Sequence, residues 1–247
     1  MAEDNKTNQK VARAMLERMG FSVDIVENGR DVLSAVQKTP YALILMDVEM
    51  PIMDGIEATQ QLRGLPGSVR NIPIVAMTAH ALKGFQDRCL KAGMNAYLAK
   101  PINPRELAST LAQFVNAPGT AAHSASLPPP APLPSAIGSE VFDAKALAEQ
   151  TGGDDDFLQQ VLATYICDTE DRLSQLGAAI ESCNPERIRK ESHAIKGASS
   201  TMCMREMQSL SSELERKAGL GIMTGLDADL QLLHAAFARI RQQAPPA

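Results

Sequence analysis

The sequence predicts a doubly wound α/β domain on a parallel sheet, joined to an all-α antiparallel helical bundle. Three observations predict it. From 9 to 114, short apolar runs alternate with stretches of helical period, the pattern of strands and crossover helices in a parallel sheet. After 139 only helical periods occur. Between the two, 117–139 is rich in Ala, Ser and Pro, with Leu-Pro-Pro-Pro-Ala-Pro-Leu-Pro at 127–134. Proline fixes φ and removes amide donors, so this segment reads as an extended, semi-rigid tether. The expected division is 1–116, a linker at 117–139, and 140–247.

In chain order, 9–19 places Val11, Met15 and Met19 on one helical face and stops at Gly20, and 22–26 is a short strand-like run. A helix is expected at 31–37. The run 41–46 is almost wholly apolar, as in a strand covered on both faces. Strands recur at 72–77 and 96–99, with helices at 56–63 and 83–92. Asn103, Pro104 and Glu106 supply an N-cap, a first-turn proline and an acid for a helix through Phe114. Past the tether, 154–182 carries Phe157, Val161, Leu162, Tyr165, Leu173, Leu176 and Ile180 at helix-face spacing, and Asn184-Pro185 opens the next helix. Helices at 204–217 and 226–241 complete the bundle.

Of the 247 residues, 45% are apolar and 21% charged, enough for sizeable cores. Residues 1–116 carry 13 basic against 12 acidic side chains and the remainder 11 against 17, so neither half has the concentrated basic charge of a nucleic-acid binder. No apolar run approaches the ~20 residues of a membrane span, and the polar start lacks a signal-peptide core. The expected address is cytoplasmic, with a parent protein at the inner membrane left open. The cysteines at 89, 167, 183 and 203 lack metal-site spacing and read as reduced thiols.

In an open parallel sheet, functional groups gather where strands end. Glu3-Asp4, Asp47, Thr78 and Lys100 all stand at such ends. Clustered carboxylates repel unless a divalent cation neutralises them, and hard oxygen ligands suit Mg²⁺. Asp47 is then the nucleophile, Lys100 the counter-charge and the Thr78 hydroxyl a donor to a phosphoryl oxygen.

The strings Glu3-Asp4-Asn5, Asp47-Val48-Glu49-Met50-Pro51-Ile52-Met53-Asp54-Gly55, Thr78-Ala79 and Lys100-Pro101 make 2–116 resemble the receiver domain of response regulators and hybrid sensor kinases. The resemblance implies a flavodoxin-like sheet, Mg²⁺ held by Glu3, Asp4, Asp47 and the backbone carbonyl of Glu49, and an acyl phosphate on Asp47. It further implies a cis Lys100-Pro101 peptide and a switch through Thr78 and Tyr97. Glu49 and His80 match positions that tune acyl-phosphate lifetime. In the family the acid pair follows a full apolar strand, whereas only Met1 and Ala2 precede Glu3. The expectation is a truncated first strand whose neighbours lack backbone partners, from a truncated gene model or a fragment of a longer hybrid kinase.

In the second half, Ser192-His193-Ala194-Ile195-Lys196-Gly197 sets Lys196 at i+3 and Arg189 at i−4 beside the imidazole, with Gly197 at i+4 leaving its face open. A glycine inside a helix costs ~1 kcal/mol relative to alanine, and close approach of a partner compensates it. This His-x-x-Lys-Gly string resembles the histidine phosphotransfer family. The resemblance implies that His193 is phosphorylated, Lys196 partners the phosphate and Gly197 gives docking clearance; Cys203 stands where the family often has glycine.

The functional expectation is a phosphorelay protein of a two-component system. A histidine kinase domain phosphorylates Asp47, and His193 exchanges phosphate with Asp47 or with a downstream response regulator receiver. With no glycine-rich nucleotide pattern in the chain, it is expected to carry phosphate rather than act as an ATP-dependent kinase. The alternatives are a C-terminal fragment of a hybrid histidine kinase, or a phosphate sink or interaction module.

Overall fold

The computed structural model describes residues 1–78, 83–115 and 155–243, so the tether, His80 and His123 lie outside the described residues. In the first domain, α1 (Lys6–Arg18), α2 (Gly29–Lys38), β1 (Ile44–Asp47), α3 (Gly55–Gly64), β2 (Ile74–Thr78), α4 (Lys83–Ala92), β3 (Ala96–Ala99) and α5 (Pro104–Val115) follow one another. The strands are parallel in the order β1-β2-β3.

Each strand side chain alternates between two apolar layers. Leu45, Val75 and Met77 join Val11, Met15, Leu107 and Leu111 of α1 and α5. Ile44, Met46, Ile74 and Ala76 join Val32, Val36, Leu62 and Cys89 of α2, α3 and α4. Burial on both faces is why these strands read as continuous apolar runs.

The run 22–26 forms no ladder; Val26 alone makes a bridge, to Ala2, which also bridges Met46. The expected strand is thus corrected to one rung, at Val26. The segment 1–3 is nonetheless paired on both sides. The Val26 amide donates to the Met1 carbonyl, the Glu3 amide to Val26, the Ala2 amide to Leu45 and the Asp47 amide to Ala2. The backbone rungs that hold the strand-end acids are therefore in place.

The second domain holds α6 (Asp155–Glu181), α7 (Pro185–Thr201), α8 (Arg205–Gly219) and α9 (Leu226–Gln243). They pack in a ring, each against the next and α9 back onto α6. Asn184 caps α7 by accepting the Arg187 amide at 3.0 Å, with Pro185 in the first turn. Cys203 has φ +54, a left-handed conformation suited to glycine. No described helix is long and apolar enough to cross a membrane.

Helix α1 also packs on α6 and α7, and the apolar layer beside it continues into the bundle core through Val161, Leu162 and Tyr165. Polar contacts flank this seam. Lys10 Nζ donates to Thr164 Oγ1 at 2.6 Å, Asn5 Nδ2 to Asp168 Oδ2 at 3.2 Å, and Arg18 lies over the Phe157 ring.

Candidate functional site

At the carboxyl ends of the strands, one oxygen each from Glu3, Asp4 and Asp47 lies within 4.8 Å of the others. Glu3 and Asp47 are buried, with 2% and 4% exposed. Lys100 Nζ stands 2.6 Å from both Glu3 Oε2 and Asp47 Oδ2. Burial is the main cause that lifts the Asp47 carboxyl well above the usual range; Glu3 and Asp4 add to it and Lys100 opposes it. Burial lifts Asp4 as well, with the Glu3 charge behind it. Burial works against the Lys100 ammonium, but Asp47 and Glu3 outweigh it and hold its proton more tightly than usual. Three carboxylates thus face one ammonium, and this converging set of hard oxygen donors fits a divalent cation.

The loop behind Asp47 is held by the Val48 amide on Met77 O and the Gly55 amide on Val48 O. A Cβ at Gly55 would stand 2.2 Å from the Asp47 carbonyl, so the chain needs glycine there. Thr78 is buried at the adjacent strand end, its carbonyl accepting the Lys100 amide at 2.8 Å, and Tyr97 lies half-buried on β3. The Lys100–Pro101 peptide is cis.

His193 faces this pocket from α7. Its Nδ1 lies 2.7 Å from Glu215 Oε1 and 3.1 Å from Glu49 Oε2, while the Glu49 amide donates to Asp47 Oδ1 at 3.3 Å. The basic neighbours differ from the sequence expectation of charge flanking the ring: Lys196 pairs with Glu215 Oε2 at 2.6 Å and Arg189 with Glu49 Oε2 at 3.5 Å. Although burial raises the Glu215 carboxyl, its bonds from His193 and Lys196 prevail and hold it at about 2. An ionised carboxylate only accepts, so the ring nitrogen that meets Glu215, Nδ1, carries a proton. Gly197 faces α1, and a Cβ there would meet Asn8 Nδ2 at 3.7 Å, ordinary contact for a methyl group.

Two families match. The response regulator receiver domain covers residues 1–112 and the Hpt domain residues 160–243. The chain is a receiver domain followed by an Hpt domain. These are phosphotransfer modules of two-component signalling, and they correspond to the C-terminal segments of hybrid histidine kinases. Signal transduction histidine-protein kinase BarA of Shigella flexneri is 29% identical over 89% of this chain, and the match spans 24% of BarA. Sensor protein GacS of Pseudomonas syringae pv. syringae is 40% identical over 45% of this chain and 13% of its own. The crystal structure of the receiver domain of sensor histidine kinase PA1611 from Pseudomonas aeruginosa PAO1, with a magnesium ion coordinated in the active site cleft, is 40% identical. It covers 47% of this chain and 94% of that one at a TM-score of 0.44.

Several residues at the junction of receiver and Hpt domain escaped the sequence reading. Glu215 orients His193 from 22 positions away on another helix. Arg172 pairs with Asp168 at 3.0 Å and with Glu191 at 3.3 Å, and its charge reaches Asp4 across the junction. Asn5, Asn8 and Thr201 complete the contact. Apart from the Asp168–Arg172 pair one turn apart on α6, no local pattern marks these contacts: Glu215 meets His193 through the packing of α8 on α7, Arg172 meets Glu191 through α6 on α7, and Asn5, Asn8 and Thr201 meet their partners through α1 on α6 and α7.

Proposed function

We propose that Asp47 accepts a phosphoryl group and that His193 exchanges it with Asp47 across the junction within this chain. One observation carries the reading: Glu49 touches both groups, its amide on Asp47 and its carboxylate beside the His193 ring. Glu3, Asp4, Asp47 and the Glu49 backbone carbonyl are the Mg²⁺ ligands. The ion supplies neutralisation of phosphoryl oxygens and carboxylates at an otherwise repulsive site.

In transfer from His193, the Nε2–P bond breaks as the Asp47 Oδ–P bond forms. The electron pair returns to Nε2, and because Nδ1 keeps its proton on Glu215 the ring leaves as neutral imidazole. Transfer in the other direction is the reverse. Lys100 and the Thr78 hydroxyl stabilise the phosphoryl oxygens on the receiver side, and Lys196 does so on the Hpt side. Thr78 and Tyr97 carry the switch. The 117–139 tether keeps the two domains at high effective concentration.

The proposed donor to Asp47 is a histidine kinase domain and the onward acceptor a separate response regulator receiver, with the chain a cytoplasmic phosphoryl carrier. The test is incubation with a phosphorylated histidine kinase domain and Mg²⁺, comparing the parent with Asp47→Ala and His193→Ala. Label on the parent that is lost at both sites in Asp47→Ala, and confined to Asp47 in His193→Ala, is expected. Equal labelling of His193 in Asp47→Ala would overturn the order of transfer.

A further inference from the structure

Three buried groups connect the recognition helix of the Hpt domain to a carboxylate of the receiver pocket. Thr201 stands two turns beyond His193 on α7, so His193, Gly197 and Thr201 share the face turned toward the receiver. The Thr201 hydroxyl donates to Asn8 Oδ1 at 2.7 Å, and Asn8 Nδ2 donates to Glu3 Oε1 at 2.9 Å. Exposure is 7% at Thr201, 7% at Asn8 and 2% at Glu3. Glu3 Oε1 also accepts the Asn5 amide at 3.3 Å, and Glu3 Oε2 holds Lys100 at 2.6 Å.

An ionised carboxylate only accepts, so Glu3 takes the Nδ2 end of Asn8, and the Thr201 hydroxyl donates to the Oδ1 end that is left. With the Hpt domain docked, both ends of the amide are therefore held and its rotamer against Glu3 is fixed; undocked, the Oδ1 end loses its Thr201 bond. Partners one shell outside a ligand fix its rotamer and commonly change metal affinity or activity 10–100-fold.

We propose that Thr201 and Asn8 are positioning residues through which docking of the Hpt domain sets Glu3 for its metal. The proposal rests on the reading of Glu3 as a Mg²⁺ ligand. Linkage requires the converse too: if docking strengthens Mg²⁺ binding, Mg²⁺ strengthens docking by the same factor. The junction then recognises a receiver by the amide at position 8 as well as by fit, and the bundle engages most firmly a receiver loaded for transfer.

The test is Mg²⁺ titration by calorimetry on the full chain, beside the rate of His193-dependent labelling. Asn8→Ala is expected to weaken Mg²⁺ about tenfold, Thr201→Val several-fold, and Thr201→Ser, which keeps the hydroxyl, not at all. Because Thr201 acts through Asn8, the double variant Asn8→Ala/Thr201→Val should bind as Asn8→Ala does. Parent-like Mg²⁺ affinity in Thr201→Val, full additivity in the double variant, or a Thr201→Ser as impaired as Thr201→Val would each overturn the proposal. A parent that binds Mg²⁺ no better than Glu3→Gln would instead remove the reading of Glu3 on which it stands.

Discussion

At the residue scale, the imidazole of His193 depends on a carboxylate that the His-x-x-Lys-Gly string does not contain. Glu215 accepts from both His193 and Lys196, and those bonds depress its carboxyl from 4.5 to about 2. A depressed acid contributes stability that is present in full above its ordinary value and is lost as pH falls toward the folded one. The stability gap between the parent and Glu215→Gln should therefore be constant above about pH 4.5 and close between there and about pH 2. Urea midpoints of the two proteins across that range measure it; a gap that widens with acid would contradict the assignment. At pH 7 the same substitution should slow His193-dependent transfer, since Nδ1 loses its charged acceptor.

At the element scale, α1 belongs to both domains. Asn5 caps it by accepting the Asn8 amide at 3.1 Å, and the same side chain donates to Asp168 of α6. Asn184 caps α7 and, among the described residues, makes no side-chain hydrogen bond to the other domain. Loss of an N-cap costs ~1 kcal/mol, so urea denaturation should show Asn184→Ala down by about that amount. Asn5→Ala should lose more, because Asp168 then loses its bond across the junction and keeps only the pair with Arg172 on its own helix. An equal loss in both would show that the Asn5 to Asp168 bond contributes nothing. The element boundaries follow the same local chemistry: α1 begins at Lys6 because Asn5 caps it, three residues ahead of the apolar period that marked it in the sequence.

At the scale of the whole molecule, the apolar layer between α1, α5 and the sheet runs on into the bundle, so docking buries continuous apolar surface around the polar junction. Exchange between Asp47 and His193 should accordingly be first order. Its rate constant is expected to stay flat over a hundredfold range of chain concentration, since tethering supplies an effective concentration on the order of millimolar. Mixing Asp47→Ala with His193→Ala chains at micromolar concentration should give little exchange; a rate proportional to concentration would mean that transfer runs between chains.

The sequence by itself determined the division into a strand-and-helix half and a helical half, because apolar period is a local property and both faces of β1 and β2 had to be covered. It also marked Asp47, Lys100 and His193, since short strings carry them. It misjudged 22–26, where a strand-like run formed one bridge, because pairing depends on a partner strand that the run itself does not specify. It likewise left Lys196 and Arg189 beside His193 without their carboxylates. Only the tertiary structure decided those pairings and the route from Thr201 through Asn8 to Glu3, whose hydroxyl and amide are 193 positions apart. A hydrogen bond between distant positions leaves no periodic trace; it exists because α1 packs on α7, and that packing is a sum over many apolar contacts rather than a motif.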